Sequence, residues 1–441
     1  MDRPYPNALG AAVAAIGIGF AICVSAATPS SNVDIEAARE RVSEARARDN
    51  ADPLALERAL TALGDASLEA SRYATAEAAY AEALQLAEQR GEREGERALT
   101  ALMGLGRARA EAGHHEEAIP VLQRALTITR TQYGLFDLRQ QDVLKSLAVS
   151  LTAVERVPEA QELMLFRVRT AEKNYGEGNP KVIPAVCDLG DWFSEAGMYL
   201  QARMAYYMAL NIVGATGSLE APIIVEPLRG IARTRMRAQS DPQFELPRRP
   251  APASYSKNMG VVSGPQPNPR VAFDQEGEEA LQRALRIVEA DPAASPQTRI
   301  ETLIQMGDWY QIEKLPREAL PYYQRAWQLS RTAPSPLSSA STTLKVPVRV
   351  YYPTPQIVSG APAAHAEKLQ AHHAQLEFTV AADGSVQDAR IVERDANDRD
   401  AQEILHAVRE ARFRPKFVDG QPVAAPGITY REAFWTDKSR E

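Results

Sequence analysis

The strongest constraint on the fold is a spacing of 42 residues that recurs along the first half of the chain. Four similar segments begin at Leu63, Leu105, Leu147 and Leu189. The residue after each leucine is small: Gly64, Gly106, Ala148 and Gly190. An alanine follows thirteen residues after each start, at Ala76, Ala118, Ala160 and Ala202. A fixed period of this length predicts stacked helix pairs, each burying its apolar face only against its neighbours.

The residue types within the repeat agree with paired helices. Two amphipathic helices approach closely only where the facing side chains are small, and large apolar residues then fill the gaps between them. The large residue comes at the same place in every copy: Tyr80, Leu122, Met164 and Tyr206.

The phase of the repeat also predicts a fifth and a sixth copy separated by an insertion. The fifth begins at Ile231 and the sixth at Met306, with Ala284 in the second helix of the fifth. Between the helices of the fifth repeat lies a Pro-, Gly- and Ser-rich segment, about residues 239–272. Such a segment suits either a surface loop or a lid over a bound partner, and the sequence leaves both open.

This pattern resembles the tetratricopeptide repeat (TPR), and its long period is similar to that of kinesin light chain-type TPR proteins. The resemblance implies a mainly α fold, an α-α superhelix (solenoid) of about six repeats over residues 34–331. The helix from Asp34 to Ala47 is expected to cap its N-terminal end.

The resemblance also implies that the first helix of each pair lines a concave groove that binds a partner. The charged residues expected to face that groove are Asp65, Arg107, Lys145, Asp191, Arg229, Arg233 and Asp308. The four basic side chains would receive carboxylates of an acidic peptide, whereas the three aspartates mix the sign of the charge. A solvated charged face would look the same in sequence, so this remains an alternative.

The C-terminal part of the chain changes character after a linker at residues 332–347. "LEFTVAADGSVQDARIV", from Leu376 to Val392, alternates apolar and polar residues around Asp383 and Gly384. This predicts a β-hairpin with Gly384 in the left-handed conformation and a bulge in the return strand. The Ala/His-rich stretch before it is predicted to be helical.

A helix and a last strand complete this predicted module. The helix is expected to be capped near Asn397 or Asp398, and its apolar face is Ala401, Ile404, Leu405, Val408 and Ala411. In the last strand, Ile428, Tyr430 and Phe434 alternate.

Three short motifs at these spacings resemble the C-terminal domain of the TonB energy transducers: Tyr352-Pro353, "FTVAADGSV", and "ARFRP" at Ala411–Pro415. The resemblance covers residues 348–436 and implies a small α+β domain. It also implies that an exposed strand pairs with a segment of a partner such as an outer-membrane receptor. The residues expected to form this strand-addition edge are Ile428, Tyr430, Phe434 and Trp435.

The N-terminus predicts export. An apolar run from Ala8 to Ala27 ends in small residues, which indicates a signal peptide over residues 1–27 or, if uncleaved, an inner-membrane anchor. The expected location is therefore the periplasm of a Gram-negative bacterium. A net charge of −7 without a long basic run gives no indication of nucleic-acid binding. Membrane contact is expected only through the N-terminal segment.

The sequence predicts no enzyme, catalytic residue, cofactor or metal site, because it lacks the common nucleotide-binding, metalloprotease and hydrolase motifs. The pairs His114-His115 and His372-His373 are interpreted as solvated. The predicted function is a periplasmic adaptor that binds one envelope protein in the groove and another by strand addition. The alternative is a divergent TonB-type transducer for outer-membrane transport. Against that alternative, the chain has a short linker and no histidine before His114, whereas the family's anchors carry one.

Overall fold

A computed structural model describes residues 29–47, 52–216, 220–241, 269–332, 344–353, 355, 369–395 and 397–437. The predicted signal peptide at 1–27, most of the insertion and most of the linker lie outside these residues. The chain divides into two compact units, residues 22–189 and residues 190–441.

Helices occupy most of the described chain as far as Thr332. They are α1 (Pro29–Ala47), α2 (Pro53–Glu69), α3 (Tyr73–Gln89), α4 (Glu96–Glu111), α5 (His115–Tyr133), α6 (Gln140–Ala153), α7 (Val157–Tyr175), α8 (Ile183–Glu195), α9 (Tyr199–Thr216), α10 (Val225–Ser240), α11 (Pro269–Ala290), α12 (Pro296–Ile312) and α13 (Pro316–Thr332). In the described part of the chain, none of these helices is long and apolar enough to cross a membrane.

In the first unit, helices that follow one another in the chain pack together from α1 to α7. In addition, α2 contacts α4 and α4 contacts α6, so the first helices of successive repeats are neighbours. Helix α1 packs Ile35, Ala38 and Val42 against Leu60 and Leu63 of the first repeat. These packing contacts are those of TPR-like stacking, with α1 covering the first pair.

The small residues of the repeat make room for the large ones. A Cβ atom on Gly64 would lie 2.6 Å from the ring of Tyr80, and one on Gly104 would lie 2.3 Å from it. In the second unit, a Cβ atom on Gly230 would lie 2.2 Å from the ring of Tyr206. Because real Cβ atoms do not approach so closely, an alanine at any of these positions would force the two helices apart.

The second unit continues the pattern through α9 to α13, each helix packing on the next. The fifth pair is α10 and α11, which contact each other although α10 ends at Ser240 and α11 begins at Pro269. The sixth pair, α12 and α13, buries Met306, Ala319 and Tyr323 almost completely. Ser295 caps the start of α12, where its hydroxyl accepts a hydrogen bond from the Thr298 amide.

The C-terminal region is a small α+β domain. Its elements are β1 (Val348–Tyr351), β2 (Leu369–Val380), β3 (Val386–Arg394), α14 (Asp398–Glu410), β4 (Arg412–Arg414), β5 (Lys416–Val418), β6 (Gln421–Val423) and β7 (Ala425–Asp437). The main sheet has the antiparallel order β3-β2-β7, while β1 pairs with β4 and β5 pairs with β6.

The hairpin between β2 and β3 has the predicted turn. Gly384 has φ +81, and its amide donates to the carbonyl of Ala381 at 3.0 Å. The pairing shifts register between Glu377 and Thr379, opposite a segment where Asp388 has φ +53, which is the predicted bulge.

The prediction of a helical Ala/His-rich stretch before the hairpin is wrong for residues 369–373, which are the first part of β2. These residues pair with the end of β7, and His372 lies opposite Phe434. Pairing with a distant strand therefore outweighs the local helical preference of the alanines.

Helix α14 forms as predicted and covers the core of the domain. The side chain of Asn397 accepts a hydrogen bond from the Asp400 amide at 2.9 Å, which caps the helix. Ile404, Leu405 and Val408 pack on the buried residues of β2 and β7, which include Leu376, Phe378 and Phe434.

Candidate functional site

The strand β7 is an open edge of the main sheet. It pairs without interruption with β2, from Leu369 opposite Asp437 to Phe378 opposite Ile428. On its other side, no strand pairs with it within the described residues. An edge of this length presents a row of backbone amides and carbonyls that an additional strand can pair with.

The side toward which each backbone amide of β7 points can be deduced from one hydrogen bond between β2 and the residue that follows β3. The Asp395 amide donates to the carbonyl of His373 at 3.2 Å, so odd-numbered residues of β2 direct their backbone groups toward β3. Because these groups alternate along a strand, even-numbered residues of β2 face β7. Leu376 lies opposite Tyr430. In the regularly paired stretch of β7, residues 428–437, even-numbered residues therefore bond to β2, and Thr429, Arg431 and Ala433 direct their amides outward.

Three of the four predicted edge residues direct their side chains toward the domain core. Ile428, Tyr430 and Phe434 pack on the inner face with the domain core, and Phe434 is almost fully buried. Trp435 lies in β7 opposite Ala371. Ile428, Tyr430 and Phe434 thus hold the strand in place, while the exposed Thr429 and Arg431 carry outward backbone groups. The alternation of polar and apolar residues in the sequence was the signal that could have found them.

A polar group lies beside Tyr430 on the inner face. The guanidinium of Arg349 lies 4.8 Å from the ring centres of both Tyr352 and Tyr430, a cation–π arrangement that attaches the end of β1 to β7. Burial and the neighbouring Glu432 raise the pKa of Tyr430 to about 12. Burial also raises the pKa of the Glu432 carboxyl.

The opposite edge of the sheet is less regular. Strand β3 has register shifts at two places, and Val392, one of its exposed residues, lies at the first of them. Arg390 forms an ion pair with Glu377 at 3.0 Å, and α14 packs against β3. Bulges, charged residues and a covering helix are the features that prevent further pairing at an edge. Of the two edges, β7 is therefore the more regular.

The interpretation of His372 and His373 as solvated is wrong for His372. Its side chain is only 8% exposed and its ring stacks on Phe434 at 5.6 Å. His373 Nδ1 lies 2.8 Å from an oxygen of Asp395. Alternation along β2 explains the difference, since it places His372 on the inner face. In the described part of the chain, no group of three or more histidine, cysteine, aspartate or glutamate side chains could hold a metal ion.

The three predicted groove aspartates each accept a hydrogen bond from a tyrosine fifteen residues later. The pairs are Asp65 with Tyr80 (2.5 Å), Asp191 with Tyr206 (2.7 Å) and Asp308 with Tyr323 (2.8 Å). Burial, and then the adjacent Asp308, raises the pKa of Tyr323 well above its ordinary value. Each tyrosine hydroxyl joins the second helix of its repeat to the first.

Two of the predicted basic groove residues, in the second unit, have partners within the chain. Arg233 contacts both Asp191 and Glu226 at 2.7 Å. Arg229 contacts Glu226 and Glu301, each at 3.1 Å. Both arginines are therefore paired with Glu226 of their own helix α10 and with a carboxylate of α8 or α12.

The other two, in the first unit, are more accessible. The side chain of Arg107 is 60% exposed and lies 3.6 Å from Glu111. The side chain of Lys145 is 51% exposed and its Nζ lies 2.6 Å from Asp188. Arg107 and Lys145 are thus more exposed than Arg229 and Arg233, and exposed ion pairs of this kind are weak.

Comparison with known families agrees with both parts of the fold. The family model for the tetratricopeptide repeat matches residues 56–131. The family model for the Gram-negative bacterial TonB protein C-terminal domain matches residues 362–431. No curated protein matches the chain.

Solved structures with similar repeats include kinesin light chain-like proteins. A putative kinesin light chain with nearly identical TPR-like repeats from Podosopora anserina is 17% identical, over 53% of this chain and 94% of its own, with a TM-score of 0.37. BtubC (BKLC) from P. vanneervenii is 15% identical, over 69% of this chain and 92% of its own, with a TM-score of 0.35. The family models find a tetratricopeptide repeat in the first part of the chain and a TonB C-terminal domain in the last.

Proposed function

We propose that this protein is an exported, periplasmic protein–protein interaction adaptor. The C-terminal domain binds one envelope protein, such as an outer-membrane protein, by strand addition to β7, and the TPR groove binds a second. The two family matches support a part in protein–protein interaction in the cell envelope.

The observation that carries the proposal is the open edge of β7. Thr429 and Arg431 are exposed and direct their backbone amides outward. The side chains of Ile428, Tyr430 and Phe434 anchor the strand to the core. An added strand gains its affinity from backbone hydrogen bonds. Because the outward amides of β7 are already exposed, the sheet needs no rearrangement to accept such a strand. The irregular β3 edge lacks this regular row of donors and acceptors.

The second contact is proposed for the first unit. Arg107 and Lys145 are more than half exposed, and both are cationic. An acidic peptide segment would replace Glu111 or Asp188 as the partner of these side chains. Such a contact weakens as salt concentration rises, because exposed charges are screened.

Site-specific photo-crosslinking in living cells tests the proposal. A photoreactive residue at Thr429 is expected to form adducts with an envelope protein through an extended segment of that protein. The matched control is the same residue at Val392, which is exposed on the β3 edge. Adducts that are equally abundant from both positions, or absent from Thr429, would contradict strand addition to β7.

The mature N-terminus distinguishes the adaptor from the transducer alternative. We expect mass spectrometry of the protein from cells to find a chain that begins near Ala27 or Thr28. A chain that retains residues 1–27 would favour an anchored transducer. This result is independent of the crosslinking, because strand addition is compatible with either location of the N-terminus.

A further inference from the structure

The contact between successive repeats in the second unit has a distinctive form. Asp191 accepts a hydrogen bond from Tyr206 of its own repeat and contacts Arg233 of the next repeat at 2.7 Å. The ring of Tyr206 is covered by Gly230, which also belongs to the next repeat. An aspartate, a tyrosine and an incoming arginine thus join two neighbouring repeats.

The last repeat has the same aspartate and tyrosine, but its arginine comes from the C-terminal domain. Arg414 donates from Nε to Asp308 Oδ1 at 2.9 Å and from Nη2 to Asp308 Oδ2 at 2.5 Å. Tyr323 donates to Asp308 at 2.8 Å, as Tyr206 does to Asp191. The side chains of Arg414 and Asp308 are only 8% and 14% exposed. The ion pair is therefore bidentate and shielded from water, the geometry in which Arg–carboxylate contacts are most specific.

The ring of the last repeat's tyrosine is covered as well. Phe417 packs edge-on against Tyr323, with ring centres 6.0 Å apart, and stacks on Trp327 at 6.3 Å. It is 1% exposed and belongs to the apolar cluster of the last repeat, with Met306 and Leu303. Phe417 covers the tyrosine of the last repeat, as Gly230 and its helix cover Tyr206.

Two polar contacts extend this surface to the hairpin and to α14. Gln311 Nε2 donates to the carbonyl of Asp383 at 2.9 Å, and Lys314 Nζ lies 2.7 Å from Glu410. A Cβ atom on Gly384 would lie 2.1 Å from the Phe413 carbonyl oxygen and 2.6 Å from Gln311 Nε2. The turn of the hairpin is thus enclosed between the last repeat and β4.

We propose that the C-terminal domain occupies the position of a seventh repeat and acts as the C-terminal cap of the array. A stacked array leaves the apolar face of its final pair uncovered, and a terminal cap with a polar outer face is needed to close it. Here Arg414 and Phe417 supply the contacts that the first helix of another repeat would supply. Asp308 then serves this joint rather than a partner in the groove.

Hydrogen-exchange mass spectrometry on the full chain tests the cap. Asp308→Asn keeps the shape of the side chain but removes the charge that pairs with Arg414. We expect amides of α13, residues 316–332, to exchange at least tenfold faster, with α2 and α3 unchanged as a reference for the folded array. The matched control is Asp65→Asn, which removes the equivalent aspartate of the first repeat and should leave α13 unchanged. Unaltered exchange in α13 of the Asp308→Asn variant would overturn the proposal.

Phe417→Ala gives a second, independent reading, because it leaves the ion pair of Arg414 in place. If the domain is the cap, α13 again loses protection by at least tenfold. If only the amides of β5 and β6 lose protection, Phe417 stabilises its own hairpin alone and the cap is contradicted.

Discussion

The C-terminal domain has two sides of opposite character. Its closed side, formed by Gly384, Arg414 and Phe417, packs on the last repeat through a buried ion pair and aromatic rings. Its open side is the β7 edge, where Thr429 and Arg431 are exposed. The closed side uses particular side chains and fits one neighbour. The open side offers backbone groups, which every partner strand possesses.

Substitutions on the two sides should therefore have different effects on stability and on partner binding. Side-chain contacts of the closed side contribute to stability, so substitutions there change the free energy of unfolding. Substitutions that alter only the open side should leave stability nearly unchanged and act on partner binding.

Removal of the closed-side arginine is expected to have the largest effect. Arg414→Ala leaves Asp308 buried without its cation and should lower the free energy of unfolding of the second unit by about 3–5 kcal/mol. Arg233→Ala, at the equivalent joint between repeats, should cost about 1–3 kcal/mol, because Arg233 is more exposed (25%). Urea unfolding followed by tryptophan fluorescence checks the order. An Arg414 effect no larger than that of Arg233 would contradict the importance of the closed side.

The hairpin turn comes next. Gly384→Ala places a methyl group against the Phe413 carbonyl at a left-handed φ of +81, with an expected cost of about 2–4 kcal/mol. Gly113→Ala is the matched control, since Gly113 has φ +84 but open space around it, and should cost only about 1–2 kcal/mol. Equal costs in urea unfolding would mean that the turn is not enclosed by Gln311.

Alkaline pH should weaken the closed side. Burial of Tyr323 raises its pKa well above 10.0 in the folded chain. Above pH 10.0 the unfolded chain loses the phenol proton of Tyr323, whereas the folded chain keeps it. Stability therefore falls with rising pH, by about 1.4 kcal/mol per pH unit for this tyrosine. Urea unfolding of the wild type and Tyr323→Phe across this range measures the difference in slope, and parallel slopes would show that Tyr323 is not responsible.

At neutral pH the same substitution should have a small effect. Tyr323→Phe removes one hydrogen bond to Asp308, which keeps Arg414 as its partner, so we expect a loss of about 1 kcal/mol. Tyr206→Phe should cost a similar amount at the joint between repeats. A much larger loss for Tyr323 in urea unfolding would indicate that Arg414 depends on the hydroxyl for its position.

Much of the fold could be predicted from local patterns. The 42-residue spacing identified the helix pairs, and Tyr80, Tyr206 and Tyr323 are buried against the expected small residues. The hairpin turn at Gly384 and the cap at Asn397 follow from chemistry within a few residues of each. These features depend on short segments whose conformation the sequence determines nearly alone.

The closed side could not be predicted in this way. Asp308 and Arg414 are 106 residues apart, and their contact depends on how two modules pack. From sequence, Asp308 was indistinguishable from a residue that faces a groove. The outward position of Thr429 and Arg431 is likewise not evident from apolar alternation, which identifies the side chains that face the core rather than the backbone groups that face outward.

The most direct test of strand addition compares two substitutions at one open-side residue. Arg431→Pro removes an amide that points away from β2, whereas Arg431→Ala removes the side chain and keeps the amide. Proline is tolerated in an edge strand where its missing N–H faces outward, so both variants should remain folded. We expect crosslinking from Thr429 to its envelope partner to be lost with proline and retained with alanine. Retention with both, in folded protein, would contradict binding through the backbone of β7.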